Sequence, residues 1–109
     1  MRTPRSLAVT DGFASFVLDQ LHELGDVVPR PMFGGIGLYS DGVFFAILAR
    51  DRLYLKAPSG AAPFKPFAGR PASRTYFEVP LAVLESPPDL ADAARRAIAF
   101  ARVSGRRSG

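Results

Sequence analysis

The stretch RPMFGGIGLYSDG, residues 30–42, holds four glycines, and what they are for decides the fold. A dinucleotide cradle needs G-x-G-x-x-G between a strand and a helix. The nearest frame runs from Gly35 through Gly37 to Ser40, with serine in the third place and a strand signal downstream. A phosphate loop of the Walker type fares no better. Gly37 and Gly42 have its spacing, but Val43 and Phe44 stand where Lys and Ser or Thr must be. The glycines therefore serve geometry. Gly34 and Gly35 permit a positive φ or a close backbone approach where a strand begins.

Working outward, apolar runs at residues 35–39, 43–49 and 53–57 are separated by Ser40-Asp41-Gly42 and Arg50-Asp51-Arg52. Asp-Gly between apolar runs is a strong hairpin signal, so these runs predict an antiparallel three-strand meander. Pro29 and Pro31 keep the preceding segment extended. Upstream, Thr10 or Asp11 can cap a helix whose apolar stripe is Phe13, Phe16, Val17, Leu21 and Leu24, ending at Gly25. Downstream, residues 58–74 are rich in Pro, Gly, Ala and Ser, with Phe64 and Phe67 as anchors. Residues 75–79 predict a fourth strand and 80–84 a turn or short helix. Pro87-Pro88-Asp89 then opens a helix to about Val103 that buries Leu90, Ala94, Ala97, Ile98 and Ala101.

The expected fold is α+β in two layers: an antiparallel sheet, a meander plus a further strand, with the N- and C-terminal helices on one face. Residues 1–9 read as a basic arm, 10–103 as a single domain and 104–109 as a basic tail. A chain of 109 residues, nearly half of them apolar, buries roughly two-thirds of its unfolded surface. No secretory leader and no membrane-spanning run is visible, so a cytoplasmic protein is expected.

The formal net charge is +4, and its distribution says more than its sum. Arg2, Arg5, Arg102, Arg106 and Arg107 sit near the ends, which leaves the interior close to neutral. Within that interior, residues 50–74 gather Arg50, Arg52, Lys56, Lys65, Arg70 and Arg74 against Asp51 alone. Such a cluster is either a solvated surface or a nucleic-acid footprint.

Strict alternation assigns Ile36, Leu38, Val43, Phe45, Ile47, Leu53, Leu55, Phe77 and Val79 to the face beneath the helices. The opposite face takes Gly37, Tyr39, Phe44, Ala46, Leu48, Tyr54, Lys56, Tyr76 and Glu78. It holds all three tyrosines of the chain. Three readings of this second face are open: a cover formed by residues 58–74 or a chain end, a homodimer or protein-partner surface, and a base-stacking platform.

Little here supports catalysis. The chain has no cysteine, so thiolate chemistry and disulfides are absent. The single histidine, His22, falls off the apolar stripe beside Asp19, Glu23 and Asp26, on an exposed helix face. No G-x-S-x-G elbow occurs. Glu78 lies inside a strand, where a cross-strand pair with Lys56 is expected. No enzyme activity, cofactor, metal or small-molecule substrate is expected.

Two long segments resemble one family. RPMFGGIGLYSDGVFFAILARDRLYLKA and YFEVPLAVLESPPDLADAARRAIAFA are similar to the N-terminal domain of TfoX/Sxy proteins. In that family a Met-Phe-Gly-Gly stretch leads into a G-L-Y strand, a Phe-rich strand and an L-Y-L-K strand, then a Glu-Val-Pro strand and a helix. The likeness covers roughly residues 11–102. It implies a small α+β domain, here standing alone without the family's C-terminal domain. It also implies a role in regulating competence and DNA uptake, where full-length members act as coactivators beside the cyclic-AMP receptor protein. This chain departs from the pattern in its shorter, Pro-rich residues 58–74 and at Ala93, where an aromatic often stands. No catalytic residues come with the likeness. The motif positions Arg30, Met32, Phe33, Gly34, Gly35 and Lys56, with Tyr39, Phe44, Tyr54 and Tyr76, form the candidate interaction surface. Arg50, Arg52, Lys65, Arg70, Arg74, Arg106 and Arg107 are the candidate nucleic-acid contacts.

Overall fold

The structure is a computed structural model that describes residues 7–66 and 71–108, with side chains as far as Ser104. Phe67 and Arg70 lie outside the described residues, as do the side chains of Arg106 and Arg107.

Five strands form one antiparallel sheet in chain order: β1 (Val28–Met32), β2 (Gly35–Ser40), β3 (Val43–Ala49), β4 (Arg52–Lys56) and β5 (Tyr76–Glu78). The first three connections are two-residue turns whose central residues all have positive φ: Phe33 and Gly34, Asp41 and Gly42, Arg50 and Asp51. That is the pattern of type I′ turns, whose twist matches the twist of the flanking strands. The meander is thus two strands longer than the expected three, and β1 is a strand where the sequence predicts only an extended segment. Pro29 and Pro31 explain why it sits at the border. Two residues apart, they share one backbone edge, and a border strand has one edge that needs no donors.

Three helical segments and a short 3₁₀ turn complete the chain. α1 (Asp11–Gln20) is capped by the Thr10 hydroxyl, which accepts from the Phe13 N–H. A 3₁₀ turn (His22–Leu24) follows it, and Gly25 at φ 83° releases the chain into β1. α2 (Leu81–Leu84) leads into α3 (Pro87–Ser108). The last helix therefore continues beyond the expected end at Val103, into residues read as a tail. Its buried stripe is the expected one with Ala91 added. Four alanines in that stripe let the helix lie close on the sheet.

The main core packs Val17, Leu21, Leu90, Ala94, Ala97 and Ile98 from the helices onto Leu38, Phe45, Ala46, Leu48, Leu53 and Leu55 from the sheet. Phe16, expected on this stripe, is instead 39% exposed. The sheet's contribution also departs from strict alternation. Leu38 pairs with Ala46, yet Tyr39 pairs with Phe44, so Phe45 is an extra residue bulged out of β3. A bulge puts two consecutive side chains on one side and flips the parity beyond it. Phe45 and Ala46 both enter the helix-side core, Leu48 joins them, and Ile47 moves to the second face.

The open half of the second sheet face

Register assigns the second face without ambiguity, because directly paired residues share a side. Val28 pairs with Tyr39, Arg30 with Gly37 and Met32 with Gly35. Farther across the sheet, Ile47 pairs with Tyr54, Tyr54 with Glu78, and Lys56 with Tyr76. All three tyrosines do lie on one side, but they do not share one environment.

Part of the face is sealed by the chain itself. Leu7 and Phe64 pack with Ile47, Ala49, Tyr54 and Tyr76 into a second core. The Phe64 ring sits 4.9 Å from that of Tyr54. Arg50 fastens both covers. Its N–H donates to Leu7 O at 3.3 Å, and its guanidinium donates to Lys65 O at 3.0 Å and Pro66 O at 2.7 Å. The Phe64 N–H also donates to Tyr76 O, which holds the loop along β5. Tyr54 and Tyr76 are consequently buried, and so is Gly35, under Leu7. These three candidate surface residues are withdrawn from contact because the chain end and the loop fold over them.

Burial raises both phenol pKa values above the ordinary 10.0, with the Glu78 charge adding to it at Tyr54 and Tyr39 adding to it at Tyr76. Tyr76 Oη is buried and has no hydrogen-bond partner among the described residues.

The rest of the face stays open. Arg30 and Val28 are exposed, while Met32, Tyr39, Phe44 and Lys56 are half-buried. Phe33, at the tip of the β1–β2 turn beside Gly34, is 76% exposed. The rings form a continuous row. Tyr39 stacks on Phe44 at 5.1 Å, and Phe44 meets Tyr76 at 5.5 Å. Two cations lie against this row: the Arg30 guanidinium, on β1, is 5.5 Å from the Tyr39 ring centre, and Lys56 Nζ, on β4 between the strands of Phe44 and Tyr76, is 5.1 Å from that of Tyr76. Gly37 makes room for this packing. A Cβ there would stand 3.0 Å from Phe44 Cε1 and 3.3 Å from Met32 Sδ.

The basic cluster of residues 50–74 is largely engaged elsewhere. Besides Arg50, Arg52 donates to both Glu78 carboxylate oxygens, at 3.1 and 2.9 Å. Glu78 therefore pairs with Arg52 on the diagonal, not with Lys56 as expected. Lys65 and Arg74 are exposed. His22 is exposed as expected, with Nδ1 2.8 Å from Asp19 O.

On the opposite side of the sheet, a cleft of about 520 Å³ opens between β5 and α3. Its lining includes Leu55, Phe77, Val79, Val83 and Ala93, with Asp89, Asp92 and Arg96 among the polar members. Glu78 also borders it, yet its carboxylate is committed to Arg52. Among the described residues no three His, Cys, Asp or Glu side chains converge on a possible metal position. None of the described helices is long and apolar enough to cross a membrane.

Contributors to the face that the sequence does not announce include Val28 and Leu7, besides Ile47 and Arg52. Val28 was missed with its strand, although Val28, Arg30 and Met32 alternate with prolines. Leu7 carries no local signal, since its burial depends on a contact with Arg50 far along the chain.

Fold and face together define a two-layer α+β domain with a five-strand meander, helices on one side and a half-covered aromatic surface on the other. The sequence model of the TfoX N-terminal domain matches residues 19–101, and the chain belongs to that family. No curated protein gives a significant match to the chain.

Proposed function

We propose that this domain works without catalysis, as a contact module whose open sheet face binds a partner protein, a second copy of the chain included. Through that contact it takes part in regulating competence and DNA uptake in the cytoplasm, as membership of the TfoX N-terminal domain family suggests. The observation that carries this reading is the uncovered row from Arg30 through Tyr39 and Phe44 to Lys56, with Phe33 standing 76% exposed beside it. Aromatic side chains with arginine are the residue types that protein interfaces favour. Nucleic-acid binding is the weaker reading, because Arg50 and Arg52 are held in intramolecular bonds.

The test is genetic. Deleting the gene should lower competence-gene transcripts, and the wild-type chain should restore them while Arg30→Glu with Lys56→Glu should not. Transcripts that ignore the deletion would remove the regulatory reading.

A further inference from the structure

Building on that contact reading, we infer that the open face takes an acidic, extended segment of a partner protein, laid across the Tyr39–Phe44 pair with carboxylates at its two ends. Four charged side chains occupy second-face positions: Arg30, Arg52, Lys56 and Glu78. Arg52 and Glu78 neutralise each other at 2.9 Å. What remains is one cation on each side of the open Tyr39–Phe44 pair: Arg30 on β1 and Lys56 on β4, the strands that flank β2 and β3. A complementary ligand is apolar in its middle and negative at its ends.

The spacing is set by the sheet. Arg30, Tyr39, Phe44 and Lys56 stand on four successive strands, β1 to β4. Three interstrand spacings and a two-residue shift along β4 separate the two cations' backbones, a length that about five residues of extended chain cover. Approach is onto the face, not along the edge, because Pro29 and Pro31 leave β1 short of donors for an added strand.

A single-stranded nucleic acid would exploit the same charge, but the rings are poorly placed for it. Tyr39 carries a cation and stacks on Phe44 at an interplanar angle of 27°, while Tyr76 carries the other cation. A base would have to displace those contacts to stack. A carboxylate needs only to meet the guanidinium or the ammonium.

The experiment is a nuclear magnetic resonance titration of the full chain. The first probe is a peptide in which two glutamates flank a run of Val, Leu and Thr, about five residues from end to end. The second is its glutamine counterpart, and the third is an oligothymidylate at the same ionic strength. The glutamate peptide should shift the resonances of Arg30, Tyr39, Phe44 and Lys56 and bind about tenfold tighter than the glutamine peptide. The variant Arg30→Glu with Lys56→Glu should lose that advantage while keeping the wild-type pattern of α3 resonances. Equal binding of the two peptides would overturn the carboxylate assignment and leave the contact reading standing. Tighter binding of the oligonucleotide, or shifts confined to the helix side, would overturn both. Sedimentation of the chain alone supplies one more outcome: self-association abolished by the same double variant would seat a second copy on the face, against this inference.

Discussion

The Asp51 carboxylate receives both the backbone N–H of Thr10, at 2.8 Å, and its hydroxyl, at 3.0 Å. One contact thus joins the start of α1 to the β3–β4 turn, and the same Thr10 oxygen caps the helix. The turn needs holding, since Arg50 and Asp51 both have positive φ without glycine. The clamp and the covers fastened by Arg50 are neighbours, so the turn organises the sealed half of the second face.

Replacing Asp51 separates its two duties. Asp51→Ala removes both bonds and puts a residue less suited to positive φ in the turn, and it should cost about 2 kcal/mol in urea unfolding. Asp51→Asn keeps an acceptor and tolerates the turn, so its loss should stay below about 1 kcal/mol. Equal losses for both variants would show that the turn conformation is not what the carboxylate protects.

Two glycines on one strand should respond differently. A Cβ on Gly35 would meet Leu48 O at 2.6 Å, a backbone atom across the ladder, so Gly35→Ala should cost about 2–3 kcal/mol. At Gly37 the obstacle is the far end of the Phe44 ring at 3.0 Å, which can swing aside. Gly37→Ala should therefore cost under about 1 kcal/mol while shifting the Phe44 and Met32 resonances. Similar losses at both sites would argue against the close approach at Gly35.

Here the sequence was partly transparent, for physical reasons. Asp41-Gly42 announces its turn because glycine accepts the positive φ that type I′ geometry demands. Phe33-Gly34 performs the same task, but the prolines before it hide a border strand. The bulge at Phe45 left no trace, since Phe44 through Ala49 is apolar at either parity and cannot report a slip. That slip is why strict alternation puts Ala46, Ile47 and Leu48 on the wrong sides. Tyr39, Phe44 and Lys56 were legible as one face because alternation held in β2 up to the bulge and in β4, whereas Arg30, Met32 and Phe33 came from the family likeness alone. Tyr54 and Tyr76 lie on the expected side, but their covers, Leu7 and Phe64, arrive by tertiary contact.

Tyr76 offers a stability test with a defined sign. Its hydroxyl is buried without a partner among the described residues, so Tyr76→Phe should stabilise the domain by about 1–2 kcal/mol in urea unfolding. Its folded pKa, like that of Tyr54, lies above the ordinary 10.0. Between the unfolded and folded values the native state holds more protons, so stability should fall as pH rises past 10.0. Tyr76→Phe should flatten part of that decline. A destabilised Tyr76→Phe variant would mean that the hydroxyl is satisfied in solution.

The claim that contact is made through the open sheet face is tested most directly by photo-crosslinking in the host cell. A benzoylphenylalanine at Phe33 or Tyr39 should capture a partner, whereas one at Leu81, 65% exposed on the helix side, should not. Adducts from Leu81 with none from Phe33 or Tyr39 would contradict the account.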